Sequence, residues 1–228
     1  MLNYKKIILF IGFLALAIFG ASYTTFGSMN DEDPISGTYS IRPAEKNANA
    51  VELNAPYISQ KAIKAWDGCE AASLLEAFHS KGVLLNTDLK EFLKQMPISK
   101  DGNPNNGFAG SPYSSSGKYF ESIFPKALDK WGNQYHKVKD MTGSSINDLK
   151  KQIDAGNPVL TYIVSGYQKP QYKKYSFGTE IDNSHVVLLD GYERGYYHVS
   201  DPNHGQYWVK ASSFEQSYNY KKYAVAVQ

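Results

Sequence analysis

The sequence is poor in cysteine and in net charge. Cys69 is the single cysteine among 228 residues, and the formal net charge is +2. One thiol cannot form a disulfide within the chain, which argues against a small secreted module stabilised by disulfides. A net charge this close to zero also gives no sign of the basic surface that nucleic-acid binders use. With 42% apolar residues, the length suffices for one domain with a sizeable core, and we expect a monomer without a nucleic-acid partner.

The first residues have the pattern of a targeting segment. Lys5 and Lys6 precede an uncharged apolar run at residues 7–21. This run is short for a membrane-spanning helix and is typical of a signal peptide. We predict a signal peptide or membrane anchor at residues 1–22, a flexible linker at 23–52 and a folded domain at 53–228. The domain is then expected outside the cytoplasm, either secreted after cleavage or attached to the membrane through this segment alone.

The rest of the chain predicts helices first and strands afterwards. Apolar spacing indicates a helix that contains Cys69 and runs to about residue 80, helices at residues 87–96 and 120–131, the latter interrupted near Pro125, and another that opens at residue 144. Strands are predicted at residues 159–164, 185–189, 196–200, 206–209 and 223–227. This order is typical of an α+β domain with an antiparallel sheet. A loop rich in Gly, Ser and Asn at residues 99–118 is long enough to suggest a functional role.

Cys69 lies where a helix is predicted to begin. Asp67 is a suitable N-cap, and Glu70 three residues later completes a capping-box pattern. Cys69 would then be near the second helical position, where unpaired N–H groups and the helix dipole favour a thiolate. The alternative is a small buried hydrophobic residue, since free cysteines are often buried.

His185 and Asp201 fall on two strands that are predicted to form a hairpin. If Glu193 is the centre of the turn, His185 lies directly opposite Asp201, with Cβ atoms about 5 Å apart. A carboxylate beside one imidazole nitrogen leaves the other nitrogen to accept the proton of a thiol. Gln60, nine residues before Cys69, is a candidate oxyanion-hole donor. The residues therefore predict a Cys-His-Asp triad of Cys69, His185 and Asp201.

Several segments resemble the peptidase C39-like family of bacterial surface proteins. They include PYISQ at residues 56–60, GCEAASL at 68–74, GFAGSPY at 107–113, SHVVLLDGY at 184–192 and SDP at 200–202. The resemblance implies a papain-like fold, in which a helical part with the cysteine packs on an antiparallel sheet with the histidine and acid. It also implies that Cys69 is the nucleophile, His185 the general base, Asp201 the orienting acid and Gln60 part of the oxyanion hole.

Other functions stay open on the sequence alone. The leading expectation is an exported hydrolase that cleaves peptide bonds in a peptide or protein substrate, without a cofactor. A peptidoglycan amidase or endopeptidase of the papain-like group would use similar residues. A non-catalytic surface binding module on the same fold is the third possibility. His198 and His204 flank Asp201, but no further ligand has convincing spacing, so we expect no metal site.

Overall fold

The computed structural model describes residues 50–228, so the predicted segment 1–22 and nearly all of the predicted linker lie outside the described residues. Within residues 50–228, no helix combines the length and the apolar character that a membrane crossing requires. The strands are β1 (Val51–Glu52), β2 (Val138–Asp140), β3 (Val159–Val164), β4 (Tyr172–Tyr175), β5 (Gly178–Ile181), β6 (Ser184–Glu193), β7 (Tyr196–Asp201), β8 (Gly205–Lys210) and β9 (Ala224–Val227). The α-helices are α1 (Cys69–Ser80), α2 (Leu89–Leu93), α3 (Pro125–Gly132), α4 (Ile146–Asp154) and α5 (Ala211–Asn219).

One antiparallel sheet organises the domain. Its strand order is β2-β9-β3-β6-β7-β8, and the short β1 pairs with the far end of β6. Strands β4 and β5 form a separate two-stranded sheet. The predicted strands at residues 159–164, 196–200 and 223–227 agree with β3, β7 and β9, whereas β2, β4, β5 and α5 were not predicted.

The sheet is buried on both faces. Val186 and Leu188 of β6 belong to a core cluster with α1, α2 and α3, and Val187 and Leu189 belong to a second cluster with α4 and α5. Successive side chains of a strand point to opposite faces, so a strand between two cores must be apolar throughout. The apolar run in β6 therefore follows from its central position, and the α+β class is confirmed.

Three predicted helix starts are wrong in detail. Gly68 is the N-cap of α1, and no side chain caps that end, so Asp67 and Glu70 do not form a capping box. Helix α2, predicted from residue 87, begins only at Leu89 and is capped by Asp88, whose side chain accepts a hydrogen bond from the N–H of Glu91. Helix α3 begins only at Pro125, because proline fits the first turn, where its missing N–H costs nothing.

The β6–β7 hairpin also differs from the prediction. Glu193 is a strand residue that pairs with Tyr196, so the loop consists of residues 194–195. The predicted direct opposition of His185 and Asp201 is therefore wrong. Two aromatic residues near the turn favour extended strands, which explains why the loop is shorter than expected.

A β-bulge at Asp190 then changes the register of the hairpin. The pairing moves by one residue at this point, so that Leu188 pairs with Ser200. Asp201, one residue further along β7, consequently lies diagonally from His185 on the same face of the sheet. Without the extra residue the two side chains would point to opposite faces. The bulge therefore makes contact between this histidine and this acid possible.

Asp190 is itself fully buried and held on both carboxylate oxygens. Oδ1 accepts a hydrogen bond from Nδ1 of His198 at 2.6 Å, and Oδ2 accepts one from the N–H of Ala55 at 3.0 Å. These bonds attach the bulge to β7 and to the segment that precedes α1. The bulge is thus fixed by side-chain contacts as well as by the ladder.

Candidate active site

Cys69 is the first residue of α1, one position earlier than predicted. Its side chain is partly buried, and its S–H donates to Oε2 of Glu70 at 3.4 Å. Burial, together with the charge of Glu70, raises the pKa of the thiol well above its ordinary value, although a hydrogen bond from the backbone of Val186 opposes this. A helix dipole contributes only about 0.3–1 kcal/mol, less than one pKa unit is worth. The expectation of a thiolate at rest is therefore wrong, and the thiol is neutral.

His185 and Asp201 form a buried hydrogen-bonded pair. Nε2 of His185 donates to Oδ1 of Asp201 at 2.7 Å, and both side chains are nearly inaccessible to solvent. A carboxylate only accepts, so the proton is on Nε2 and Nδ1 is the basic atom. Burial lowers the pKa of His185, but the charge and hydrogen bond of Asp201 outweigh it, and the pKa is raised above its ordinary value.

Asp201 is held rigidly by further donors. The N–H of Asn203 donates to Oδ1 at 2.8 Å, while Nδ1 of His204 and the hydroxyl of Tyr207 donate to Oδ2 at 3.1 and 3.0 Å. Burial disfavours the charged carboxylate, but the charge of His185 and the hydrogen bonds from both histidines hold the pKa of Asp201 well below its usual value. The acid is therefore ionised and fixed in orientation beside His185.

Gln60 is fully buried and lies beside the residue that follows Asp201. Its N–H donates to the carbonyl of Pro202 at 3.1 Å. Its side-chain Nε2 donates to the carbonyls of Ala65 at 2.9 Å and Trp66 at 2.8 Å, which uses both amide hydrogens. Oε1 has no hydrogen-bond partner among the described residues. The side-chain amide of Gln60 therefore lies next to Trp66, which lines the cleft described below. The role of Gln60 as an oxyanion donor stays a prediction.

Cys69 and His185 line one cleft of about 170 Å³. Ser115 of the long loop, residues 120–122 that follow it and Tyr175 of β4 form part of its wall. Carboxyl groups are prominent, and no Lys or Arg belongs to the described lining. The acidic side chains are those of Asp67, Glu70, Glu121 and Asp182. Burial and the charge of Glu121 raise the pKa of Asp67 to about 6, as expected for carboxylates crowded into a shared cleft.

Comparisons with known proteins identify the family. Residues 52–226 match the sequence model of the peptidase C39-like family. The chain belongs to that family. It is 29% identical over 187 residues to the uncharacterized protein YvpB of Bacillus subtilis (strain 168), covering 76% of this chain and 73% of that protein. The crystal structure of a candidate C39-like peptidase from Bacillus anthracis is 26% identical, with a TM-score of 0.68, and covers 78% of this chain and 97% of the other.

Membership of the C39-like family confirms the papain-like fold that the sequence predicted. The helical part with Cys69 packs on the antiparallel sheet that holds His185 and Asp201. Family and fold together make the chain peptidase-like. They leave its catalytic residues and its activity as predictions, because a C39-like fold alone does not establish turnover.

Glu70 is the neighbour of the thiol that sequence reasoning missed. It was interpreted as a helix cap, whereas its side chain turns inward and is only 2% exposed. Oε1 accepts hydrogen bonds from the hydroxyl of Ser122 and from the N–H of Ile123 at 3.3 Å. A charged residue directly after the cysteine and before two alanines was the available signal.

Three potential metal ligands lie together around the His185–Asp201 pair. Potential ligand atoms of His185, Asp201 and His204 lie within 4.8 Å of one another. In this structure those atoms serve as hydrogen-bond donors and acceptors to each other. A metal would have to replace both N–H donors of the histidines, so the cluster fits an anchored carboxylate better than a metal site.

Replacing Asp201 with asparagine should lower the pKa of His185. The carboxylate is what offsets burial, so a neutral amide leaves burial to favour the uncharged imidazole. We expect a fall of at least about one pKa unit and a loss of about 10²-fold or more in any hydrolysis rate. NMR titration of the imidazole resonances measures the first effect.

The control for this prediction is Asp182→Asn. Asp182 lines the same cleft, but its carboxylate accepts a hydrogen bond from Tyr175 and not from His185. Its replacement should leave the titration of His185 nearly unchanged. A His185 pKa that is equal in Asp201→Asn and in the unmodified protein would contradict the assigned role of Asp201.

Proposed function

We propose that this chain is a cysteine peptidase that hydrolyses peptide bonds, with Cys69 as nucleophile, His185 as general base and Asp201 as the residue that orients His185. One observation carries the proposal. The buried 2.7 Å hydrogen bond from Nε2 of His185 to Asp201 leaves Nδ1 as the base in the cleft that also contains the chain's single thiol.

The raised pKa of Cys69 determines how the first step begins. Because the thiol is neutral at rest, the attack needs general-base assistance and not a preformed thiolate. Nδ1 of His185 takes the proton from Sγ as Sγ bonds to the carbonyl carbon of the substrate. Asp201 stabilises the imidazolium that forms. The carbonyl oxygen then carries the negative charge of a tetrahedral intermediate.

Two donors are suited to this oxyanion. The backbone N–H of Cys69 belongs to the first turn of α1, where N–H groups have no partner within the helix. Gln60 would contribute by exchanging its bond to the carbonyl of Trp66 for one to the oxyanion, since Trp66 lines the cleft. Such donors each contribute about 10²-fold or more to the rate.

The intermediate collapses when the carbon–nitrogen bond breaks. His185 returns the proton from Nδ1 to the leaving amine, which departs and leaves a thioester on Sγ. Water then attacks the thioester while Nδ1 takes one of its protons. The carboxylic acid product leaves, and Sγ regains its proton from the imidazolium. The complete cycle consumes one water molecule for each peptide bond that is cleaved.

Labelling with a thiol-directed peptide electrophile tests this function. The protein is incubated with a peptidyl vinyl sulfone across a range of pH, and its labelling is compared with that of His185→Ala. We expect stoichiometric labelling of Cys69 in the unmodified protein and a loss of about 10²-fold or more in rate in the variant. Equal rates in both proteins, no faster than a free thiol, would exclude the enzyme and favour a binding module.

Turnover assays then separate the possible substrates. The protein is incubated with a fluorogenic peptide library and, separately, with purified cell wall. Release of fluorophore indicates peptide-bond hydrolysis, whereas release of stem peptides from the wall alone indicates the peptidoglycan alternative. Export, which we also propose from residues 1–22, is tested by fractionating cells that express the full chain.

A further inference from the structure

Glu70 makes an unusual contact for a residue beside a nucleophile. Its Oε2 lies 3.4 Å from Sγ of Cys69, and its Oε1 is fixed by Ser122 and Ile123. The whole residue is 2% exposed. A carboxyl group in this position disfavours the thiolate that a cysteine peptidase must generate, because like charges at contact distance repel strongly where solvent is excluded.

Charged and titratable groups reach this contact from every neighbouring element. Asp67 precedes α1 and adds negative charge at Cys69. The charge of Glu70 raises the pKa of His185 on β6. On β3, burial and the charges of Glu70 and Cys69 raise the pKa of Tyr162. No Lys or Arg of the described lining offsets Glu70. The hydrogen bond from the backbone of Val186 opposes the effects of burial and Glu70 on the thiol, and the charge of Lys61 acts on His185, whose pKa it lowers.

The hydrogen bonds of Glu70 determine which oxygen faces the thiol. Both donors from the segment before α3 approach Oε1, so Oε2 is the acceptor left for the S–H. Burial raises the pKa of Glu70 itself, and the hydrogen bonds from Ser122, Cys69 and Ile123 partly oppose this. The thiol and the carboxyl group thus titrate as a coupled pair.

We propose that Glu70 is a positioning residue that holds Cys69 as a neutral thiol in the resting protein and so limits the reactivity of the nucleophile. The inference rests on the proposed function only in naming Cys69 the nucleophile. His185 must then remove the thiol proton while Oε2 of Glu70 still lies beside Sγ. The thiolate is therefore disfavoured until a substrate is bound and Sγ can attack it. The titration of the thiol can be measured without turnover, so the role of Glu70 can be tested separately from the proposed hydrolysis.

Glu70→Gln tests the proposal with nearly unchanged shape. The amide oxygen can accept from Ser122 and Ile123, which places the NH₂ group at Oε2, where it donates to the thiolate. The pH dependence of iodoacetamide alkylation, followed from about pH 7 to about pH 11, should shift to lower pH by at least about one unit. A thiol of lower pKa is also a weaker nucleophile, so the rate near neutral pH should rise only about threefold.

Glu121→Gln is the matched control. Glu121 lines the same cleft, but its carboxylate accepts from Ser116 and does not contact Sγ. We expect its alkylation midpoint to stay within about 0.3 units of that of the unmodified protein. An equal shift in both variants would assign the effect to the general charge of the cleft and overturn the specific role of Glu70.

Ser122→Ala keeps the test decisive if Glu70→Gln does not fold. Loss of the hydroxyl removes a donor that stabilises ionised Glu70, so the pKa of Glu70 rises and its carboxyl group stays neutral up to a higher pH. A neutral carboxyl group does not repel the thiolate, so the alkylation midpoint should again fall. Circular dichroism establishes the folded state of each variant. A midpoint that is unchanged or raised in every folded variant overturns the proposal. A lowered midpoint without any hydrolysis supports the role of Glu70 and contradicts the proposed function alone.

Discussion

Cys69→Ala should abolish hydrolysis, with a fall in kcat of about 10⁴-fold or more. Removal of the nucleophile from a catalytic triad eliminates the covalent pathway and leaves only substrate binding and oxyanion stabilisation. Because Cys69 is the single cysteine in the chain, no other thiol can take over the reaction. Steady-state kinetics on the best substrate from the peptide library measures the effect.

Cys69→Ser and Ser80→Ala complete this experiment. Serine has nearly the shape of cysteine, but its hydroxyl is far harder to deprotonate, so the serine variant should be almost as inactive as the alanine variant. Ser80 lies at the other end of α1, where its hydroxyl donates to the carbonyl of Ala77, and its replacement should leave kcat within about twofold. Retention of a tenth or more of the activity in Cys69→Ala would contradict covalent catalysis.

Asp190→Ala should cost about 3 kcal/mol of folding free energy. The substitution removes the acceptor for both the N–H of Ala55 and Nδ1 of His198, and all of these groups are buried. A buried polar group that loses its partner costs about 1–3 kcal/mol, and two such groups lose their partner here. Urea unfolding followed by tryptophan fluorescence measures the change.

Asp154→Ala provides the comparison for Asp190→Ala. Asp154 is an exposed aspartate whose carboxylate also accepts a short hydrogen bond, from the hydroxyl of Tyr192 at 2.6 Å. Its replacement should change the free energy of unfolding by less than about 1 kcal/mol, because solvent replaces the lost partner. Equal losses in the two variants would show that the bulge is not anchored by its carboxylate.

The elements that the sequence predicted well are those with one dominant pattern. Helix α1 follows from apolar residues at helical spacing and ends before Gly82, whose φ of +74° suits glycine. Strand β3 is an uninterrupted apolar run, as burial on both faces requires. Helix α5 was missed because its serine and tyrosine residues favour other structures, and only Phe214 and Tyr218 mark its buried face.

The candidate site was predicted less completely than the fold. The residues suggested His185 and Asp201 as neighbours, and the structure brings them together, but through a different register from the one predicted. The bulge has no distinctive local pattern, because it depends on tertiary contacts of Asp190. The state of the thiol was also mistaken, because helix position was visible in the sequence and the inward direction of Glu70 was not.

The bulge at Asp190 limits how the lengths of β6 and β7 can change without separating His185 from Asp201. Side chains of a strand alternate with a period of two, so a single residue inserted or deleted within β6 or β7, between the site and the turn, moves His185 or Asp201 to the other face. Length changes within the two strands are therefore compatible with the site when they come in pairs, or when a single insertion is offset by loss of the bulge, whereas the loop at residues 194–195 can change length freely. Relatives whose strands are longer or shorter between the site and the turn are expected to obey this even-number rule.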